Sequence, residues 1–179
     1  MGVKGVAIQL YLKEVEDGGI APSEYHKLRN LERYLLEKKG GRYYLRGMHR
    51  KKFVVAMTGG VFDVVHIGHI HTLTEAKEKA DVLVVVVAQD KHIKKKKRKP
   101  LHWQEHRRVL VQALKPVDLA ILGGDEMEET FERVNPDLIV YGYDQKAFLK
   151  PKGIKVVRLK SRIDPKNVKT RKILRKLGI

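Results

Sequence analysis

The chain is 179 residues long, enough for one good core and a small appendage but short of a second full domain. Hydrophobic residues make up 42% of it, which excludes a disordered chain, and no apolar run approaches the roughly 20 residues of a membrane span. The absence of cysteine excludes a disulfide framework, a thiolate nucleophile and a Cys-ligated zinc, while 38 Lys and Arg against 21 Asp and Glu give a formal charge of +17, a field that attracts polyanions.

Residues 1–50 read as a small helical extension. Val3 to Val15 carries apolar residues at helical spacing and runs into Gly18-Gly19, a helix stop. A second helix is expected from Pro22-Ser23, with Tyr25, Leu28, Leu31 and Leu35 three and four apart and Gly40-Gly41 ending it. Arg42 to Leu45 reads as a short strand, and the basic stretch Met48 to Lys52 as a linker to the second region, 51–179.

From Phe53 onward strand, loop and helix alternate. Phe53 to Met57 reads as a buried strand, broken at Gly59-Gly60 and followed by a helix from Gly68 to Ala80. Val82 to Ala88 is almost continuously β-branched, as a central parallel strand covered on both faces should be. The lysine-rich stretch 91–99 reads as a loop, and a helix from Gln104 to Leu114 places His106, Val109, Leu110 and Ala113 on one side, with Trp103 packing it onto the sheet. Leu119 to Leu122 and Leu138 to Tyr141 read as strands on either side of a helix carrying Met127, Phe131 and Val134. Lys155 to Leu159 is a last strand, and a basic helix from Lys166 to Leu177 closes the chain. This alternation predicts an α/β fold: a doubly wound, Rossmann-like parallel sheet of about five strands, with ligands at the carboxyl ends of its strands.

The segment after the first of those strands carries the chemistry. It runs Gly59-Gly60-Val61-Phe62-Asp63-Val64-Val65-His66-Ile67-Gly68-His69. The glycines let the backbone approach a phosphate, and a helix beginning near Gly68 aims free amides and its positive end at the same place. Two histidines three apart at a helix start can both donate to one anion, which suits phosphoryl-type transfer, where the protein positions reactants and stabilises charge on oxygen. Taken alone, the pair is equally compatible with half a metal site or with ordinary polar residues at a helix start. Its place after a strand and two glycines favours the anion.

Gly60-Val61-Phe62-Asp63 followed by His66-Ile67-Gly68-His69 resembles the first motif of the cytidylyltransferase-like nucleotidyltransferases. The series continues with Lys99-Pro100, Glu105 to Arg108, Lys115 to Asp118 and Tyr141 to Gln145, and looks most like archaeal FAD synthases and, a step further, glycerol-3-phosphate cytidylyltransferases. The resemblance covers 53 to about 175 and implies nucleotidyl transfer from ATP or CTP to a phosphate-bearing acceptor, with release of pyrophosphate and a need for Mg2+. FMN is the leading acceptor, and CTP with glycerol 3-phosphate or a similar phosphoalcohol the alternative. It further implies that His66 and His69 contact the triphosphate in the transition state, that Asp63 orders the loop or orients the nucleotide through a metal, and that Gly60, Val61, Phe62 and Gly68 cradle the nucleotide. By the same resemblance Arg107 holds a phosphate, and Gly142 and Asp144 line the base and ribose pocket.

The chain departs from the family at its C-terminal motif, Lys169-Thr170-Arg171-Lys172-Ile173. Thr170 and Lys172 match it, but Lys169 and Arg171 stand where smaller residues are usual. Arg162 is a further candidate for an acceptor phosphate. In the run Lys94 to Lys99 most residues read as a solvated face, with one lysine, Lys94 or Lys99, reaching the triphosphate. His49, His71 and His92 are assigned no role, and no residues are assigned as ligands of a metal.

A dehydrogenase is disfavoured because the strand is not followed by G-x-G-x-x-G, and a tRNA synthetase by length. A different class is offered by residues 1–50, where two helices, a glycine turn and Tyr43-Tyr44 resemble a small winged helix-turn-helix; a nucleic-acid-binding regulator is the rival reading. Because the densest charge lies at 91–99 rather than there, the extension is expected to pack or to hold a homodimer. With no span and no basic-then-apolar leader, the expected location is the cytoplasm.

Overall fold

The computed structural model describes residues 2–94, 100–143, 145, 151, 153–160, 163, 170–176 and 178; of Lys94, Thr170 and Arg171 it describes the backbone only. The chain divides into two compact units, Met1–Val54 and Val55–Ile179.

The first unit opens with α1 (Val3–Asp17), whose Val6, Ala7, Leu10, Tyr11 and Val15 recur at three and four residues and are buried. Gly18 and Gly19, at φ of 66° and 102°, turn the chain. A side chain at Gly19 would also begin 2.6 Å from the Tyr44 ring, so glycine is required there twice over. Ile20 then forms an antiparallel bridge with Tyr43.

Where one helix was expected over Pro22 to Leu35, two short ones form, α2 (Pro22–Tyr25) and α3 (Asn30–Tyr34), and the chain leaves them as strand β1 (Leu36–Lys39). β1 pairs with β2 (Arg42–Leu45) across Gly40-Gly41, both at positive φ. Those glycines are therefore a hairpin turn and not a helix stop, and the alternating pairs of a hairpin override the helical spacing of the leucines. The stretch read as a linker is also structured. In α4 (Gly47–Arg50) both His49 and Arg50 are buried, and the Arg50 guanidinium lies 5.2 and 5.1 Å from the centres of the Tyr11 and Phe53 rings.

The second unit carries β3 (Val55–Gly60), α5 (Ile67–Lys77), β4 (Val82–Val87), α6 (Asp90–Lys94), α7 (Gln104–Gln112), β5 (Leu119–Leu122), α8 (Met127–Val134), β6 (Leu138–Tyr141), β7 (Lys155–Arg158) and α9 (Thr170–Lys176). Among the described residues the five strands form one sheet, all parallel, in the order β5-β4-β3-β6-β7. This is the doubly wound, Rossmann-like α/β fold, and all six residues of β4 are buried, as its β-branched run predicts. The chain proceeds from β3 to β4 and β5 on one side and then returns to lay β6 and β7 on the other. The crevice at the carboxyl ends of β3 and β6 is thus the topological switch point, where such sheets bind ligands.

Two carboxylates set the opposite ends of these strands. Asp137 accepts the Val55 N–H at 2.8 Å while its own N–H donates to the Val55 carbonyl, and Asp118 does the same with Leu83, accepting at 2.6 Å and donating at 3.1 Å. Each fixes the register of a strand against its neighbour.

Residues 91–94, read as loop, belong to α6. His106, Val109, Leu110 and Ala113 share one side of α7 as expected, and that side is exposed; Trp103, expected to pack the helix onto the sheet, is 58% exposed. The face turned inward carries Arg107 and Val111.

Candidate active site

The site begins where β3 ends. Gly60 lies under the Phe62 ring, 3.0 Å from where a side chain would start, and Phe62 turns the chain with φ of 52°, a left-handed conformation that costs a residue with a side chain about 1 kcal/mol or more. The Phe62 ring is buried in the core and tilts against His69, with ring centres 5.1 Å apart. The Phe62 ring is therefore a floor under the histidine.

His66 stands at the N-cap of α5 and His69 at its third position. Their rings stack with centres 3.9 Å apart, and the His66 backbone N–H donates to Nδ1 of His69 at 3.3 Å. A ring that accepts on Nδ1 carries its proton on Nε2, so the far nitrogen of His69 is a donor. At the start of α5 the His69 N–H donates to the His66 carbonyl at 2.8 Å, and the first turn of the helix holds no acidic residue. A helix start beside an imidazole donor is an arrangement suited to anionic oxygen.

Asp63 is buried, and its Oδ1 accepts the N–H groups of Leu101 at 2.7 Å and His102 at 3.2 Å. It orders the loop that returns from the lysine run, one of the two roles expected of it. Asp90 and Gln104 exchange hydrogen bonds of 3.1 and 3.3 Å, which join the starts of α6 and α7.

Arg107 needs a correction. It is 0% exposed, and its guanidinium donates to the carbonyls of His102 at 2.9 Å, Ala88 at 2.7 Å and Val61, and pairs with Asp90 at 2.6 Å. A buried cation whose donors are engaged by three segments holds the site's loops together and does not face a phosphate. The outward turn of the apolar residues of α7 has the same cause, since the inward position is taken by this arginine.

Gln145 closes the switch-point crevice. Its side-chain amide donates to the Gly59 carbonyl at 2.8 Å and accepts from the Gly142 N–H at 2.8 Å, joining the ends of β3 and β6. Gln145 ends the Tyr141 to Gln145 motif, and no role for it follows from the motif alone. The signal was available in its residue type: a carboxamide carries both a donor and an acceptor, which two strand ends beside a glycine require. Gly142 itself is buried at this point, with Thr72 and Gln145 facing its missing side chain.

Lys172 lies exposed on α9. Lys94 and Thr170 have their backbones at the end of α6 and the start of α9. Lys99, Asp144 and Arg162 lie outside the described residues. His71 forms a 3.6 Å pair with Glu75 on α5. Among the described residues no three His, Asp or Glu side chains gather as a metal site, and no helix is long and apolar enough to cross a membrane.

The model of the cytidylyltransferase-like family matches residues 57–177. The chain is similar to the FAD synthase of Aciduliprofundum boonei, 47% identical over 134 residues that cover 69% of this chain and 90% of the relative. It is also similar to the FAD synthase of Thermococcus sibiricus, 39% identical over 142 residues, 73% of this chain and 96% of the other. Among solved structures, a lipopolysaccharide core biosynthesis protein from Thermoplasma volcanium matches with a TM-score of 0.56 and 38% identity, over 63% of this chain and 99% of that one. The chain belongs to the cytidylyltransferase-like family, and it is a nucleotidyltransferase.

Proposed function

We propose that the chain transfers the adenylyl group of ATP to FMN, forming FAD and pyrophosphate. The observation that carries this reading is the start of α5, where the His66 N–H donates to His69 Nδ1 and leaves Nε2 of that ring as a donor at a helix N-terminus that follows β3. A terminal phosphate oxygen of FMN attacks the α-phosphorus of ATP; the new P–O bond forms as the bond to the bridging oxygen breaks, and pyrophosphate leaves with the electron pair. The acceptor oxygen is already ionised near neutral pH, so no general base is needed. His66 and His69 stabilise the negative charge that grows on the triphosphate oxygens.

Likeness to curated FAD synthases supports ATP and FMN over CTP and glycerol 3-phosphate. A magnesium ion would be held chiefly by triphosphate oxygens, as suits an ion that keeps its waters and takes few protein ligands. Asp63 has one oxygen committed to two amides and serves the loop first. Lys172, at the start of α9, joins His66 and His69 as a catalytic residue, and Thr170, Gly142, Asp144, Lys94, Lys99 and Arg162 complete the reading as nucleotide and phosphate contacts. We assign the chemistry to 51–179, in a cytoplasmic homodimer. The exposed Trp103, Val109 and Leu110 support a covered face on α7.

The test is pyrophosphate release with ATP or CTP against FMN, glycerol 3-phosphate and phosphoethanolamine, with and without chelator. ATP with FMN should be the productive pair and chelator should stop it; turnover of CTP with glycerol 3-phosphate alone would move the chain to the other branch. His66→Ala and His69→Ala should each lower kcat by about a hundredfold or more with the fold intact. Wild-type turnover in both would remove the histidines from the chemistry.

A further inference from the structure

The first unit is not needed for adenylyl transfer as read above, and the family match begins only at residue 57. Its connectivity is specific: helix α1, a strand position at Ile20, helices α2 and α3, then hairpin β1–β2, with Ile20 and β1 both antiparallel to β2. A helix, a strand, two helices and a hairpin, with the first strand beside the last, is the arrangement of a winged helix-turn-helix.

The charge on this unit is one-sided. Residues 1–54 hold twelve Lys and Arg against six Asp and Glu. Most of those acids are engaged internally: Glu14 on the Leu45 amide, Asp17 and Glu24 on Lys13, Glu32 on Arg29 and Glu37 on Lys39. Lys27, Lys38, Arg46, Lys51 and Lys52 are exposed, with no carboxylate at ion-pair distance among the described residues. One row of side chains joins the two short helices to the hairpin. Arg33 lies 5.9 Å over Tyr25, Tyr25 stacks on Tyr43 at 3.7 Å, and Lys38 lies 6.0 Å over Tyr43. Beside it α3 presents Tyr34 at 68% exposure.

We infer that residues 1–54 form a nucleic-acid-binding module that grips the phosphate backbone of a duplex with the α2–α3 segment and the hairpin. A second copy of the chain is a poor occupant for this face, since it brings the same positive field. The length of α3 sets the mode. Five residues make a helix of about 7 Å, too short to read a row of base edges, so contacts go to phosphate and sequence preference is weak.

The experiment is anisotropy of a fluorescein-labelled duplex DNA titrated with the full chain across a salt series. The variants are Lys27→Glu, Lys38→Glu and Arg46→Glu combined, and a control of equal charge, Lys79→Glu, Lys115→Glu and Lys155→Glu combined, on exposed positions of the second unit. The first triple should weaken duplex binding by about tenfold or more and flatten the salt slope by roughly two to three, while the control changes both far less. Pyrophosphate release with ATP and FMN should be unchanged, which separates loss of binding from damage to the enzyme. A triple of Lys27→Gln, Lys38→Gln and Arg46→Gln should weaken binding in the same direction and guards against misfolding by charge reversal. Equal losses in the first triple and the control would reduce the effect to the field of the whole chain and overturn the module. So would unchanged duplex binding in the first triple, or binding confined to anionic vesicles.

Discussion

The ammonium of Lys77 lies 2.6 Å from Oδ2 of Asp118, the same oxygen that accepts the Leu83 N–H. The carboxylate thus anchors the start of a central strand and neutralises a helix-end lysine. Asp118→Ala should destabilise the protein by about 1–3 kcal/mol, because a strand amide loses its partner. Asp118→Asn keeps an acceptor for that amide and should cost less. Urea midpoints of the two variants check the order; equal midpoints would mean that the amide bond contributes little.

Arg107 is predicted to act through structure. Arg107→Ala removes the cation paired with Asp90 Oδ1 and the donor to three carbonyls and should cost about 3–5 kcal/mol, and Arg107→Lys should recover part of it, since one ammonium cannot span three segments. Chemical unfolding measures both. A stable Arg107→Ala protein with only a raised KM for ATP or FMN would return this residue to the phosphate.

Gln145 is predicted to set the base pocket. Gln145→Ala should raise KM for ATP about fivefold or more and leave KM for FMN within about twofold, as the ends of β3 and β6 lose their bridge. Gln145→Glu should be worse, because a carboxylate then faces the Gly59 carbonyl. A larger effect on FMN than on ATP would contradict the assignment.

Burial pushes Glu14 from the ordinary carboxylate range up to about 7, although the Leu45 amide opposes the shift. The folded state therefore holds this proton more tightly than the unfolded chain. The stability so contributed is complete below pH 4.5, the unfolded value, and is lost as pH rises through about 7. His49 works in the opposite sense: burial and the nearby Lys52 and Arg46 lower its pKa, so its contribution is lost as pH falls below the free value of 6.5. Hydrogen exchange at β2, followed in the wild type and Glu14→Gln, isolates the first effect. Protection in the wild type relative to the variant should fall between pH 5 and 8; a constant difference would mean that the carboxyl does not titrate there.

What could be read from the sequence divides by the range of the forces involved. The Val82 to Val87 run and the Gly60 to His69 motif were legible because strand burial and helix-start chemistry are written within a few neighbouring residues. The hairpin was legible in half: Arg42 to Leu45 reads as a strand and is β2, whereas Leu36 to Lys39 follows on from the helical spacing of Leu28, Leu31 and Leu35, and only its pairing with β2 makes it a strand. Arg107 failed for a related reason. An arginine in a phosphate-binding family reads as a ligand, and nothing local reveals that carbonyls of Val61, Ala88 and His102 surround it. Trp103 followed from that, since the inward position of its helix was already occupied.

The order of strands also governs how the protein comes off the ribosome. Ala56 in β3 pairs with Leu83 on one side and with Leu138 on the other. Its first neighbour is made soon afterwards, whereas the second must wait for most of the domain to be translated. Through that interval the central strand has one unpaired edge, with Ala56 and Met57 ready to accept any extended segment, including that of a neighbouring nascent chain. The hairpin of the first unit closes within ten residues of its own start, from Leu36 to Leu45, and waits for nothing. Synthesis therefore has a vulnerable stretch between Val87 and Leu138, and a pause placed there would expose this chain to aggregation more than a pause anywhere before it.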